Sequence, residues 1–161
     1  MKDKGSAVIE LALVIPFFLI MIIGVTDISF TIQKNQYLSL VVREAGNSAY
    51  RQCRRMSSED TEECLTNSAK ESVSFINNSG GVIGGADLIV RSWTVDKGES
   101  NILKGEYKNG SFESKITEDR VKKFNSYDEE LRQTLITVEI YLENTNNVPF
   151  FKRNLYEVMV F

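Results

Sequence analysis

Between Ser6 and Val25 a single residue, Glu10, carries a charge, and Leu11 to Val25 is apolar apart from Gly24 and Pro16. About 20 such residues at 1.5 Å each reach across a hydrocarbon core. A chain that opens this way must satisfy the backbone of this stretch within a helix and place it in lipid. Glu10 sits at the rim of that helix, the fifth residue after Gly5. A carboxylate inside a membrane-length window is expensive and calls for a function.

The head before the apolar run holds Lys2 and Lys4 against Asp3. This short, slightly basic head resembles the n-region of a targeting signal and predicts a cytoplasmic N-terminus. The apolar run is longer than an ordinary cleaved h-region, and Gly24-Val25-Thr26-Asp27 is a poor small-x-small cleavage site. The glycine suited to cleavage, Gly5, precedes the run. A cut between Gly5 and Ser6 would leave the helix on the mature protein. Asp27 is expected to mark the outer membrane boundary or to meet a partner's basic residue. Pro16 lacks an N–H and either loosens the helix locally or is simply tolerated.

The helix should continue past Asp27. Leu38, Val41, Val42, Ala45 and Ala49 recur at 3–4 spacing and define one face, while Lys34, Arg43, Asn47 and Arg51 fall largely elsewhere. The pattern predicts one helix over 6–50, bare in its first half and amphipathic in its second. The expected organisation is a leader at 1–5, this helix, and an extracytoplasmic domain over 51–161. In that domain Ser58 or Asp60 would cap a second helix carrying Leu65, Ala69, Val73 and Ile76, ended by Asn77-Asn78-Ser79-Gly80-Gly81. Leu88 to Val95, Leu135 to Leu142 and Leu155 to Phe161 read as strands, the last two as antiparallel neighbours across a loop at 144–149. Asp96-Lys97-Gly98 reads as a turn, and Tyr107 to Phe112, with its Asn-Gly pair, as a short hairpin. Val121 to Arg132 shows a weak helical pattern. The fold class is therefore α+β: a long helix, one packed helix and three or four antiparallel strands.

Cys53 and Cys64 are the only cysteines and bracket the segment between the two helices. In an oxidising compartment they would pair, and closing so short a loop is worth roughly 2–3 kcal/mol. Free thiols are the alternative. With no histidine and no Cys-x-x-Cys, the chain has a poor metal set and no redox motif. A formal charge of −3 disfavours nucleic acid as a partner. The run Glu59 to Glu63 lacks calcium-loop spacing and reads as an acidic first helical turn. Gly80-Gly81 and Gly84-Gly85 are not followed by the Gly-Lys-Ser/Thr of a phosphate loop. Trp93, Tyr107 and Phe112 suit strand core better than an exposed patch. No nucleophile and base can be paired, so neither an enzyme nor a cofactor is expected.

In a filament of helices packed side by side, a carboxylate at Glu10 is costly without a cation. The amine freed at Ser6 by a cut after Gly5, in a neighbouring subunit or in the same one before assembly, would supply it. Such a pair would set subunit register, because a slip leaves both charges buried alone. The bland alternative places Glu10 at headgroup level in an uncleaved anchor.

The residues Lys4-Gly5-Ser6-Ala7-Val8-Ile9-Glu10-Leu11-Ala12-Leu13-Val14-Ile15-Pro16 resemble the start of TadE-like proteins, the minor pseudopilins of the tight-adherence (Flp-type) pilus system. The resemblance continues at Gly24 and at Leu40-Val41-Val42-Arg43-Glu44-Ala45-Gly46. There, Val41-Val42 replace the family's alanine pair, and Ala45-Gly46 reverse its small residues. It covers roughly Lys4 to Arg51 and leaves the related TadF subtype open. It implies cleavage between Gly5 and Ser6 by a prepilin peptidase, and assembly through Glu10 and Pro16. The implied partners are other pilins, an inner-membrane platform and lipid. The implied location is the inner membrane, crossed once, with the C-terminal domain outside. The competing expectation is an uncleaved single-pass protein whose outer domain binds a partner in assembly or secretion.

Overall fold

The structure, a computed structural model, describes residues 3–56, 58–79, 82–95, 102–124, 133–143 and 154–161. The helix α1 runs Asp3–Cys53, a rod of 51 residues and about 76 Å. It passes without interruption through Pro16 and the Gly5-Ser6 peptide. Helix α2 spans Ser58–Asn78. Among the described residues four strands follow: β1 at Asp87–Val95, β2 at Ile102–Asn109, β3 at Gln133–Leu142 and β4 at Leu155–Val160. A short helix α3, Glu118–Phe124, lies between β2 and β3.

The strands form one antiparallel sheet in the order β2-β1-β3-β4. The register places Val90 opposite Val138 and Val138 opposite Met159, so the alternating apolar residues line one face. Against that face pack the second half of α1 and all of α2. Leu38, Val41, Val42, Ala45 and Ala49 from α1 join Leu65, Ala69 and Ile76 from α2 and Leu88, Val90, Ile136, Val138 and Ile140 from the sheet in one buried core. The 3.6-residue stripe on α1 has found a period-2 face on the sheet, in a pilin-like arrangement of long helix and small α+β domain.

Two glycines set how closely the layers approach. The ring of Phe161, just beyond β4, lies where a Cβ on Gly46 would stand. Phe161 is held there by two backbone hydrogen bonds to Ile136, of 2.9 and 3.0 Å. At Gly105 of β2 a Cβ would come within 3.3 Å of the Glu62 backbone nitrogen, so the start of α2 rests directly on the strand. The disulfide Cys53–Cys64, with a Cα separation of 5.8 Å, ties the end of α1 to the same turn of α2.

The middle of the domain departs from expectation. The Asn109-Gly110 pair is not a hairpin tip. Asn109 closes β2, and Gly110, at φ +104°, turns the chain onto the opposite face of the sheet. The Asp87 carboxylate accepts the Ser111 and Phe112 backbone N–H groups at 3.0 and 2.8 Å and fixes that turn. The chain then runs as a strap over β3 and β4. Glu139 of β3 is only 1% exposed beneath it. Its carboxylate accepts the Lys115 backbone N–H at 2.9 Å, the Tyr156 hydroxyl at 2.7 Å and the Ser114 hydroxyl. Phe112 stacks on Tyr141, with centroids 4.6 Å apart. Trp93 is buried under the strap with Ile116 and Val121 and donates to Thr137 Oγ1 at 2.9 Å. Tyr107 packs partly buried against the main core. The expected turn at 96–98 and loop at 144–149 lie outside the described residues.

Candidate functional site

From Val8 to Thr26 no side chain of α1 is buried. Val8, Ile9, Leu11, Leu13, Phe17, Phe18, Ile20 and Ile23 are all exposed, around every side of the helix, and the membrane-length window is 0% buried. No soluble helix could leave such a surface to water; it needs apolar surroundings. Glu10 stands on this bare rod near its start. The backbone of Gly5 and Ser6 lies one turn earlier, in the same helix. Pro16 removes one intrahelical donor, leaving the Ala12 carbonyl without its usual partner.

The exit from the apolar zone is built to spare polar groups. Thr26, Ser29 and Thr31 hydroxyls donate back to the carbonyls of Ile23, Val25 and Asp27 at 2.8, 2.9 and 3.0 Å. Asp27 is 7% exposed, and its Oδ2 has no hydrogen-bond partner among the described residues. It shares a helix face with Thr31, Lys34 and Leu38, the face that continues into the core. The apolar surface extends beyond it through Ile28, Phe30 and Ile32, all exposed.

Among the described residues no three His, Cys, Asp or Glu side chains gather to hold a metal. One recess, about 530 Å³, is open and lined by Gln52, Met56, Asp60, Glu63, Cys64 and Asn67. It holds no nucleophile beside a base. Tyr156 is pushed well above the usual phenol range, first by burial and then by its bond to Glu139, so it stays a neutral donor. Arg91 is spent on Glu106, at 2.6 Å, and on the Ile116 carbonyl, at 3.3 Å. These polar groups hold the strap. Sequence reasoning missed them, because their partners lie 15 to 25 residues apart.

The expected site residues thus fall into two groups. Gly5, Ser6, Glu10 and Pro16 lie on the bare rod. Cys53 and Cys64 are joined at the far end of the helical layer. The family described as TadE-like protein matches residues 5–47. That span begins at Gly5, takes in the whole exposed rod and ends in the packed part of α1. Neither a curated protein nor a solved structure matches the chain.

Proposed function

We propose that this protein is a minor pseudopilin that assembles through its N-terminal helix and supports biogenesis or initiation of a tight-adherence pilus. The observation that carries this reading is the bare rod: from Val8 to Thr26 some 28 Å of helix with no buried side chain, matched from Gly5 onward by the TadE-like family and continuous with the core of a small domain. A rod of that kind can pass from lipid into a bundle of like helices without refolding. A prepilin peptidase would cut between Gly5 and Ser6. The Ser6 amine would then meet Glu10 of a neighbour as the helices leave the membrane. The N-terminus lies in the cytoplasm, the domain beyond the inner membrane, where the disulfide forms. The partners are the peptidase, other pilins and the assembly platform.

Glu10→Ala in the native host tests the assembly step. The expected result is a variant that reaches the membrane and folds, judged by an intact disulfide, while surface pili fall at least about tenfold, the scale of one lost buried charge pair. Wild-type piliation by Glu10→Ala contradicts the reading.

A further inference from the structure

A narrow groove runs along the seam where α1 lies against α2. It is about 120 Å³ in volume and takes Leu40, Glu44 and Ser48 from α1 and Ser68, Glu71, Ser72 and Phe75 from α2. The helical period brings them there, because residues three or four apart share one face of a helix. Leu40 and Phe75 close the end toward the apolar half of α1, with Phe75 beside Tyr37, ring centroids 6.3 Å apart. Every other lining side chain ends in oxygen. The heights agree. The disulfide holds the Cα atoms of Cys53 and Cys64 5.8 Å apart. Counting back from it at 1.5 Å per residue, Glu44 stands about 13.5 Å down α1, and Glu71 and Ser72 about 10.5 and 12 Å down α2. Two carboxylates and a hydroxyl therefore share one level to within about 3 Å.

Nothing within the chain satisfies these three groups. Neither Glu44 nor Glu71 has an ion pair or a hydrogen bond among the described residues. The neighbouring cations serve elsewhere. Arg43 lines a separate groove with Asn35, Gln36 and Ser39, and Lys70 donates to Asn67 at 3.0 Å. Glu44 and Glu71 stand exposed at the rim, while Ser72 is only 6% exposed at the floor. The Ser68 hydroxyl donates to the Leu65 carbonyl at 3.0 Å, but that of Ser72 has no hydrogen bond among the described residues. A buried hydroxyl without a bond and two like charges across one seam each cost stability. A cation among them removes both costs. The donors on offer are two carboxylates and the hydroxyls of Ser48, Ser68 and Ser72, with no nitrogen or sulfur side chain in the lining. That set suits a hard cation. The glutamates are long and reach in from the rim, so the geometry adapts. Calcium accepts such irregular oxygen shells and completes them with water, whereas magnesium demands a near-ideal octahedron.

We propose that this groove is a calcium site, in which Glu44 and Glu71 bind the ion from opposite helices and the Ser72 hydroxyl meets it from the floor. The ion is a second tie between α1 and α2, about 10–13 Å closer to the bare rod than the disulfide. The site needs neither cleavage nor a pilus.

The test uses the full chain, uncleaved, in neutral detergent micelles, stripped of metal by a chelator and then dialysed against radioactive calcium. The expected result is saturable uptake of one ion per chain with a Kd of about 0.1–1 mM, the range of open extracellular sites, and magnesium binding at least about tenfold weaker. Glu44→Gln and Glu71→Gln should each weaken calcium binding at least about tenfold, since ligand charge sets affinity. Glu63→Gln, which alters the other recess, should bind as wild type does. Urea unfolding reads the fold separately. Calcium should raise the wild-type midpoint, and sodium at matched ionic strength should not. Without calcium, both glutamine variants should unfold no earlier than wild type, because each relieves a like-charge contact. Absence of saturable uptake, uptake by both glutamine variants equal to wild type, or an equal rise with sodium overturns the site. None of these results bears on cleavage after Gly5, which is read from the first residue of the mature chain.

Discussion

Replacing Gly46 by alanine adds one methyl group where α1 meets the end of the sheet, and the structure fixes what that methyl encounters. The new Cβ would overlap three ring carbons of Phe161. Nonbonded carbons settle at about 3.5–4 Å, so ring or helix must give way by roughly 2 Å. Phe161 cannot simply lift, because its backbone is bonded to Ile136 in both directions. Overpacking of this kind costs about 1–3 kcal/mol. Against it stands the gain of about 1 kcal/mol from alanine over glycine inside a helix. The net expectation is a loss of about 1 kcal/mol. Removing the ring isolates the two terms: in a Phe161→Ala background the clash is gone, and Gly46→Ala should stabilise by about 1 kcal/mol. Urea unfolding of the full chain in detergent micelles measures both, read by the fluorescence of Trp93, the sole tryptophan and a buried one. Gly24, which has open space around it, serves as the control without a clash. A Gly46→Ala protein more stable than wild type, or a Phe161→Ala background that leaves the sign unchanged, refutes the seam described above.

Other perturbations have defined outcomes. Cys53→Ser with Cys64→Ser removes a cross-link over 11 positions and should cost about 2.5–3 kcal/mol in the same urea assay; an unchanged midpoint would show that α1 and α2 are held without it. Glu139→Ala strands the Lys115 N–H and the Ser114 and Tyr156 hydroxyls under the strap. It should cost at least about 2–3 kcal/mol and speed amide exchange over 111–117, whereas Glu113→Ala, on the exposed side of the strap, should do neither. Tyr156 has a folded-state pKa above its unfolded one of about 10. Its stabilising share is therefore complete below pH 10 and lost as pH rises further. Wild type should lose stability above pH 10 more steeply than Tyr156→Phe, and parallel curves would show that the phenol is not held neutral by the fold.

What the sequence disclosed depended on how local the cause was. The continuation of α1 past Asp27 was legible because Leu38, Val41, Val42, Ala45 and Ala49 repeat at helical spacing, and these residues are buried in the core. The strands at 88–95, 135–142 and 155–161 alternate and were found within a residue or two. β2 was not legible as a strand. Lys104-Gly105-Glu106-Tyr107-Lys108 lacks clear alternation, and it pairs because β1 offers an edge and Gly105 lets α2 lie across it. Glu139 falls between the core residues Val138 and Ile140 of β3, on the other face of the sheet. It is buried because a segment 24 positions earlier crosses over it, and no local pattern announces such a crossing. The same holds for Asp27: its place at the end of the apolar run was evident, its burial was not. On the rod, Gly5, Ser6, Glu10 and Pro16 could be named because the roles proposed for them, cleavage and assembly, are read along one helix.

The central claim is that the chain is a prepilin-type substrate whose mature form begins on the rod. The most direct measurement is the intact mass and first residue of the membrane-extracted protein, with its native peptidase present and absent. A mature chain starting at Ser6 only when the peptidase is present is the predicted result. A chain still carrying residues 1–5 under both conditions would contradict it and leave a permanent anchor bearing an outer binding domain.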